Sequence, residues 1–264
     1  MSGVPRAMTI AGSDSGGGAG IQADLKAFVA MGVYGSSVIT AVTAQNTLRV
    51  GDVLELPVSL VRAQIDAVAS DIGTDAVKTG MLSSAAIIEA VVEKIDEHGL
   101  GNLVVDPVMV AKSGDRLLRE DAVEALRSLL LPRAAVVTPN IPEAEALTGR
   151  RIESVDDARA AAVELVGMGA RVAVVKGGHM DGPAIDIFYD GEEFRAFTAE
   201  RIATTSTHGT GCTFASATAA GLAKGLTPQD AVERAKVYVT EAIRRAFPMG
   251  SGHGPLNHFY HMWG

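Results

Sequence analysis

At 264 residues the chain is long enough for one large α/β domain or two small ones, and a composition 47% hydrophobic but only 5% aromatic suits small aliphatic side chains packing helices onto a sheet. With 23 basic and 31 acidic residues the net charge is −8, which argues against a general nucleic-acid or membrane surface, because no basic excess exists to neutralise phosphates or anionic lipid. The single cysteine excludes an internal disulfide and a cysteine-rich zinc site.

The first eight residues carry no apolar leader core and no apolar run reaches membrane-spanning length, so a soluble protein of a reducing cytoplasm is expected. Residues 7–12 read as a strand and 20–31 as a helix, with Ile21, Leu25, Phe28 and Val29 on one face. A β-branched strand follows over 33–42, then a helix over 57–72 with proline in its first turn. Next come a strand at 75–78 and a helix at 83–98 that Gly99 can cap. Residues 103–106 predict a strand, 120–130 a helix, 135–138 a strand and 142–147 a short helix. The helix over 154–168 has Ser154 to cap it and Asp157 to reach back, and a strand follows at 171–176. Residues 184–189 and 193–198 flank Asp190-Gly191, a hairpin signal, and helices over 209–224 and 228–246 close the pattern. Such alternation predicts an α/β fold: a mostly parallel central sheet covered on both faces, with one antiparallel hairpin, in a single domain over 1–264.

In open α/β sheets ligands sit beyond the carboxyl ends of the strands, and every such junction here is polar or glycine-rich. The run Gly16 to Gly20 matches neither phosphate-loop nor dinucleotide-binding spacing, so on its own it reads as a mobile loop, and a P-loop ATPase or Rossmann dehydrogenase is disfavoured. Thr207-His208-Gly209-Thr210-Gly211-Cys212 opens into an apolar, small-residue helix. Its first-turn N–H groups and the helix dipole make an anion site, Thr210 adds a hydroxyl donor, and Cys212 can face the same point. A capped helix with a buried small thiol is the alternative. Asp106 ends an apolar strand, where a carboxylate is costly without a cation or donor. Glu143 stands at a helix start, either as a dipole partner or, with Asp106, as a magnesium ligand. Lys176 ends a central strand before two glycines, as a snorkelling strand end or a counter-charge for nucleotide phosphates.

Several segments together resemble the hydroxymethylpyrimidine/phosphomethylpyrimidine kinases, thiamine-biosynthesis enzymes of the ribokinase superfamily. They are Ile10-Ala11-Gly12-Ser13-Asp14, Gly18-Ala19-Gly20-Ile21-Gln22-Ala23-Asp24, Thr43-Ala44-Gln45-Asn46-Thr47 and Asp106-Pro107-Val108-Met109. Thr138-Pro139-Asn140-Ile141-Pro142-Glu143, Val175-Lys176-Gly177-Gly178-His179, the 207–212 turn and Gly254-Pro255-Leu256-Asn257-His258 complete the likeness. The resemblance implies a ribokinase-like three-layer αβα fold and ATP-dependent phosphorylation of 4-amino-5-hydroxymethyl-2-methylpyrimidine, then of its monophosphate. It implies that Gln45 and Asp24 contact the pyrimidine, with Gly12, Met81 and Val108 lining the ring pocket. An amide such as Gln45 can pair with the edge of an aminopyrimidine. Gly209, Thr210 and Gly211 would stabilise the transferring phosphoryl group, and Asn140, Glu143 and Lys176 would handle ATP and Mg²⁺. A homodimer is the family expectation.

Most sugar kinases of the superfamily carry aspartate where Cys212 stands, and the pyrimidine kinases carry cysteine. A thiol pKa of about 8.5, lowered toward about 7 at a helix N-terminus, would let Cys212 act as base on the alcohol of the first step. The second acceptor, a phosphate with a pKa of about 6, is already ionised and needs none. The His208-x-x-x-Cys212 spacing also suits a thiol hydrolase pair, although acyl transfer has no use for a carboxylate pair and a phosphate site. His253, His258 and His261 near Phe259, Tyr260 and Trp263 read as a docked tail or a metal site. Pyridoxal kinase and a non-catalytic sensor of thiamine precursors are the competing functions.

Overall fold

A computed structural model describes residues 3–110, 120–178 and 182–262; His179 and Trp263 lie outside them. In chain order the elements are β1 (Arg6–Asp14), α1 (Gly20–Ala30), β2 (Tyr34–Gln45), β3 (Val50–Glu55), α2 (Val58–Ala67), β4 (Ala76–Thr79) and α3 (Ala85–Glu97). There follow β5 (Leu103–Val105), α4 (Glu120–Ala125), β6 (Val136–Val137), α5 (Ile141–Thr148), α6 (Val155–Gly167) and β7 (Ala173–Val175). The hairpin β8 (Ala184–Tyr189) and β9 (Phe194–Ala199) precedes α7 (Thr210–Ala223) and α8 (Pro228–Arg244).

Among the described residues one nine-stranded sheet runs in the order β3-β2-β1-β4-β5-β6-β7-β8-β9. The strands from β2 through β1 and β4 to β7 are parallel. The central strands are apolar without a break because both their faces are covered. Side-chain alternation sorts them: Met8, Leu103, Val105, Val137, Ala173 and Val175 join one core with α2 to α6, while Ala7, Val104, Val136 and Val174 join the other with α1, α7 and α8. The result is three layers, with the eight α-helices among the described residues lying on the two faces of the sheet.

The antiparallel pairing is wider than the one hairpin predicted. β8 pairs with β9 as expected, but β8 also pairs antiparallel with β7, and β3 with β2 at the opposite edge. Residues 50–55 are mostly exposed, so they show no apolar alternation from which a strand could be read. The helices predicted over 57–72 and 120–130 both change form partway, ending in π-type turns at Val68–Ile72 and Leu126–Leu130.

Helix α7 decides where the site lies. Its residues from Thr213 to Leu222 are all buried, which suits a helix of small residues pressed between sheet and neighbours. A Cβ at Gly221 would stand 2.7 Å from Ala231 Cβ, so only glycine admits α8 this close. The buried flank fixes the helix axis, and its first turn then opens at the carboxyl end of the strands.

Candidate active site

Gly209 is the N-cap of α7, with φ +80° and no capping side chain. A Cβ there would fall 1.8 Å from Gly18 O. Glycine is therefore required twice over, by dihedral and by space. No side chain caps the turn; Thr210 N donates to Thr207 O at 3.3 Å, and the N–H groups of Gly211 and Cys212 are left for an anion. Gly211 brings this turn against charge: a Cβ would lie 3.2 Å from Lys176 Nζ and 3.6 and 3.7 Å from the Asp106 carboxylate oxygens. The Thr210 hydroxyl, expected to be a free donor, instead donates to Thr207 O at 2.7 Å.

Beside the turn, Lys176 Nζ donates to Asp106 Oδ1 at 3.1 Å, while Asp106 Oδ2 is buried without a hydrogen-bond partner. Thr79 Oγ1 is a second buried orphan, and Thr79 O accepts from Asp106 N at 3.0 Å. Glu143 belongs to a capping box, its Oε2 accepting from Asn140 N at 2.8 Å while Asn140 Oδ1 accepts from Glu143 N at 2.9 Å. Asn140 bridges to Lys176, whose N donates to Pro139 O at 2.8 Å. Burial pushes the Glu143 carboxyl up to about 7, with Lys176 pulling it back and Asp106 pushing it further. Desolvation would lower Lys176, but Asp106 and Glu143 prevail and raise it. Two carboxylates thus share one lysine, one oxygen is unpaired, and every donor is a hard oxygen. That set fits Mg²⁺.

Behind these groups lies a sealed layer. Lys78 and Asp24 are fully buried and paired, Nζ lying 2.9 Å from Oδ2 and 3.0 Å from Oδ1. Thr9 Oγ1 and Ser216 Oγ each donate to the same carboxylate at 2.6 Å. Asp24, expected at the pyrimidine, is instead closed off from any ligand, because both its oxygens are satisfied within the protein and its exposure is 0%. Desolvation would lower Lys78, yet Asp24, Cys212 and Asp106 hold it above its ordinary value. Burial pushes the Cys212 thiol up to about 12; Lys78 opposes this, and Asp106 and Asp24 add to it. The lowering toward neutrality expected from the helix terminus is not what the site gives, because burial dominates and Asp106 and Asp24 add to it.

The acceptor side is built from the ends of β1 and β2. A Cβ on Gly12 would meet Met81 Cε at 3.1 Å, so the two form one wall, and Val108 is half-buried on the turn after β5, its N–H donating to Asp106 O at 2.8 Å. Gln45 exchanges hydrogen bonds with Ser15 Oγ through its backbone, both at 2.8 Å. Its Oε1 lies 3.2 Å from Thr43 Oγ1 and its Nε2 3.5 Å from His208 Nε2. The glycine run is pinned, since Asp14 accepts from Gly16, Gly18 and Ala19 N–H and from His208. Those N–H groups face Asp14 and not a phosphate, which accounts for the missing nucleotide-loop spacing. Asp14, Lys78 and Thr79 were not expected as site residues, and His208, weighed only as a thiol partner, instead pairs with Asp14. An acid directly before a glycine run was the available signal for Asp14. The tail histidines have separate partners: His258 meets Thr213 Oγ1 at 2.9 Å, His253 Nδ1 lies 3.3 Å from Thr205 O, and His261 packs on Tyr260.

A sequence profile described as phosphomethylpyrimidine kinase matches residues 14–257. A hydroxymethylpyrimidine/phosphomethylpyrimidine kinase of Bacillus subtilis (strain 168) is 55% identical over 258 residues, covering 97% of this chain and 95% of its own. A pyridoxal kinase of Staphylococcus aureus, solved with AMP-PCP and pyridoxal, superposes with a TM-score of 0.92 at 38% identity, over 99% of this chain and 96% of that one. A phosphomethylpyrimidine kinase of Clostridium difficile 630 gives a TM-score of 0.81 at 47% identity, over 90% and 99%. The matched span takes in every strand end described above and the first turn of α7, and on that ground the chain belongs to the phosphomethylpyrimidine kinase family.

Proposed function

We propose that the protein uses ATP to phosphorylate 4-amino-5-hydroxymethyl-2-methylpyrimidine and then its monophosphate. The observation that carries this reading is the open first turn of α7 with Gly211 against both Lys176 and the Asp106 carboxylate. Phosphoryl transfer asks mainly for positioning and charge stabilisation, and this arrangement offers both. The Gly209–Gly211 turn receives the transferring phosphoryl group, and Lys176 supplies the fixed positive charge beside it. Asn140 keeps its amide N–H groups for the nucleotide, since its Oδ1 is committed to the cap. Thr210 contributes to nucleotide binding as a hydroxyl acceptor, since its N–H and its hydroxyl both donate to Thr207 O. Asp106 and Glu143 would hold Mg²⁺, which offsets phosphate charge when bound.

Gln45 meets the ring edge, and Gly12, Met81 and Val108 enclose the ring. Cys212 sits where the acceptor oxygen arrives. With its pKa at about 12 it keeps its proton near neutrality, so it orients the incoming hydroxyl and is not a ready-made base. In a loose transition state the hydroxyl proton leaves late and can pass to a phosphoryl oxygen. Asp24 acts from below, holding Lys78 in place.

An ADP-release screen over the hydroxymethylpyrimidine, its monophosphate and pyridoxal, with and without a magnesium chelator, tests the proposal. Turnover of both pyrimidines, lost on chelation, is expected; no ADP from either pyrimidine overturns it. Pyridoxal is the second reading, favoured by the close superposition on a pyridoxal kinase. One kinase domain over 1–264, a homodimeric assembly and a cytoplasmic setting remain part of the proposal through the family resemblance.

A further inference from the structure

We infer that His208 is a positioning residue that couples the acceptor pocket to the helix receiving the phosphoryl group. This deepens the kinase reading and rests on Gln45 meeting the acceptor ring.

His208 stands immediately before the N-cap of α7, its side chain 10% exposed, and its Nε2 lies 2.8 Å from Asp14 Oδ2. That same carboxylate accepts from Gly16, Gly18 and Ala19 N–H at 2.8, 3.0 and 2.8 Å. One carboxylate therefore gathers the glycine run, and one imidazole ties the carboxylate to α7. The approach is close: a Cβ on Gly18 would lie 2.5 Å from His208 Cδ2. A ring nitrogen that donates to a carboxylate has no lone pair left for Gln45, whose Nε2 is 3.5 Å away. Gln45 is thus held at His208 by contact, and its amide hydrogens stay available at that contact for a ligand.

A second set of bonds backs the imidazole. His208 N donates to Gly254 O at 3.0 Å, and His253 N donates to Thr47 O at 2.8 Å, two residues from Gln45. A Cβ on Gly252 would fall 2.0 Å from Thr47 O. The strap over 250–255 thereby presses the Gln45 loop and the α7 turn into one register.

The test compares His208→Ala with His208→Gln in the full chain, since the Gln Nε2 can replace the imidazole donor. His208→Ala is expected to raise KM for the hydroxymethylpyrimidine by about 10-fold or more while KM for ATP stays within about 2-fold, and His208→Gln to recover most of the loss. A readout without substrate is amide exchange at Gly16, Gly18 and Ala19, expected to quicken by about 10-fold or more in His208→Ala but not in His208→Gln. In Asp14→Asn/His208→Ala the losses should fall short of the sum of the singles. Unchanged KM and loop exchange in His208→Ala would overturn the inference, as would equal losses in both variants with both substrates affected alike. Should the wild type release no ADP with the pyrimidine, the kinase reading fails on its own, and the exchange rates still decide the coupling.

Discussion

Glu143 holds a proton near neutrality and also caps α5, and these two roles separate on titration. Its folded pKa of about 7 lies above the ordinary 4.5, so between those values the folded state keeps a proton that the unfolded chain has lost. Stability contributed by this group therefore falls as pH rises through that window, and the deficit is full above about 7. Glu143→Gln keeps an oxygen for Asn140 N–H and removes the charge. In metal-free protein it should be more stable than wild type at about pH 8, by up to about 3 kcal/mol, and no more stable at about pH 4, as read by urea midpoints. Added magnesium should stabilise the wild type above neutrality but not this variant. Asp24 predicts the opposite sign. Asp24→Asn leaves Lys78 buried without a counter-charge and should cost about 3–5 kcal/mol, much of which Lys78→Met/Asp24→Asn should recover. For Cys212, thiolate absorbance should stay absent up to about pH 10 in the free protein. Cys212→Ala should slow the first phosphorylation by about 10-fold or more and the second much less; equal single-turnover losses would exclude a role at the hydroxyl. The identity of the chemical groups was legible in the sequence at Asp106 and Lys176, because charges at apolar strand ends need partners, and at Glu143, because a carboxylate opens a helix there. Asp24 was not legible, since only the fold shows that Lys78, Thr9 and Ser216 close over it.

At the scale of elements, α7 announces itself as a buried helix, because a glycine turn leads into a run of small, mostly apolar residues; that its N-terminus lacks a side-chain cap came from the fold. Gly209→Ala should displace that terminus from the glycine run, because the new Cβ would collide with Gly18 O at a positive φ. A loss of about 2 kcal/mol or more and about 100-fold in ADP release is expected; a variant with wild-type turnover would show that the close contact is dispensable. The strands with two covered faces were legible as continuous apolar runs. β3 was not, because an edge strand with an exposed pattern takes its definition from the partner β2 and not from its own side chains. The π-type endings of α2 and α4 were equally hidden, since nothing in Val68–Ile72 or Leu126–Leu130 breaks helical spacing.

Across the whole molecule, the two cores divide the labour. The α2–α6 side buries most of the large aliphatic residues, while the α1–α7–α8 side is rich in alanine and lets backbones approach closely at the site. The chain after α8 belongs to this second core: Leu256 is buried, Tyr238 Oη donates to His258 O at 2.9 Å, and Arg245 stacks over Tyr260 at 5.4 Å. Burial and Lys26 push His258 down to about 4, so it stays neutral against Thr213. Truncation after Ala246 should lower stability by about 3 kcal/mol or more in urea and abolish binding of the pyrimidine. Retention of that binding by the truncated chain would show that the strap is an ornament.

Because Gly252 and His253 rest on Thr47, and Gly254 on His208, the acceptor side of the cleft is finished by residues made long after its first wall. A polypeptide still emerging from the ribosome can assemble the sheet and most of both cores while its cleft lacks that closure. Closure of the cleft therefore waits on the synthesis of residues 250–255, and a chain that has not reached them should bind the acceptor weakly.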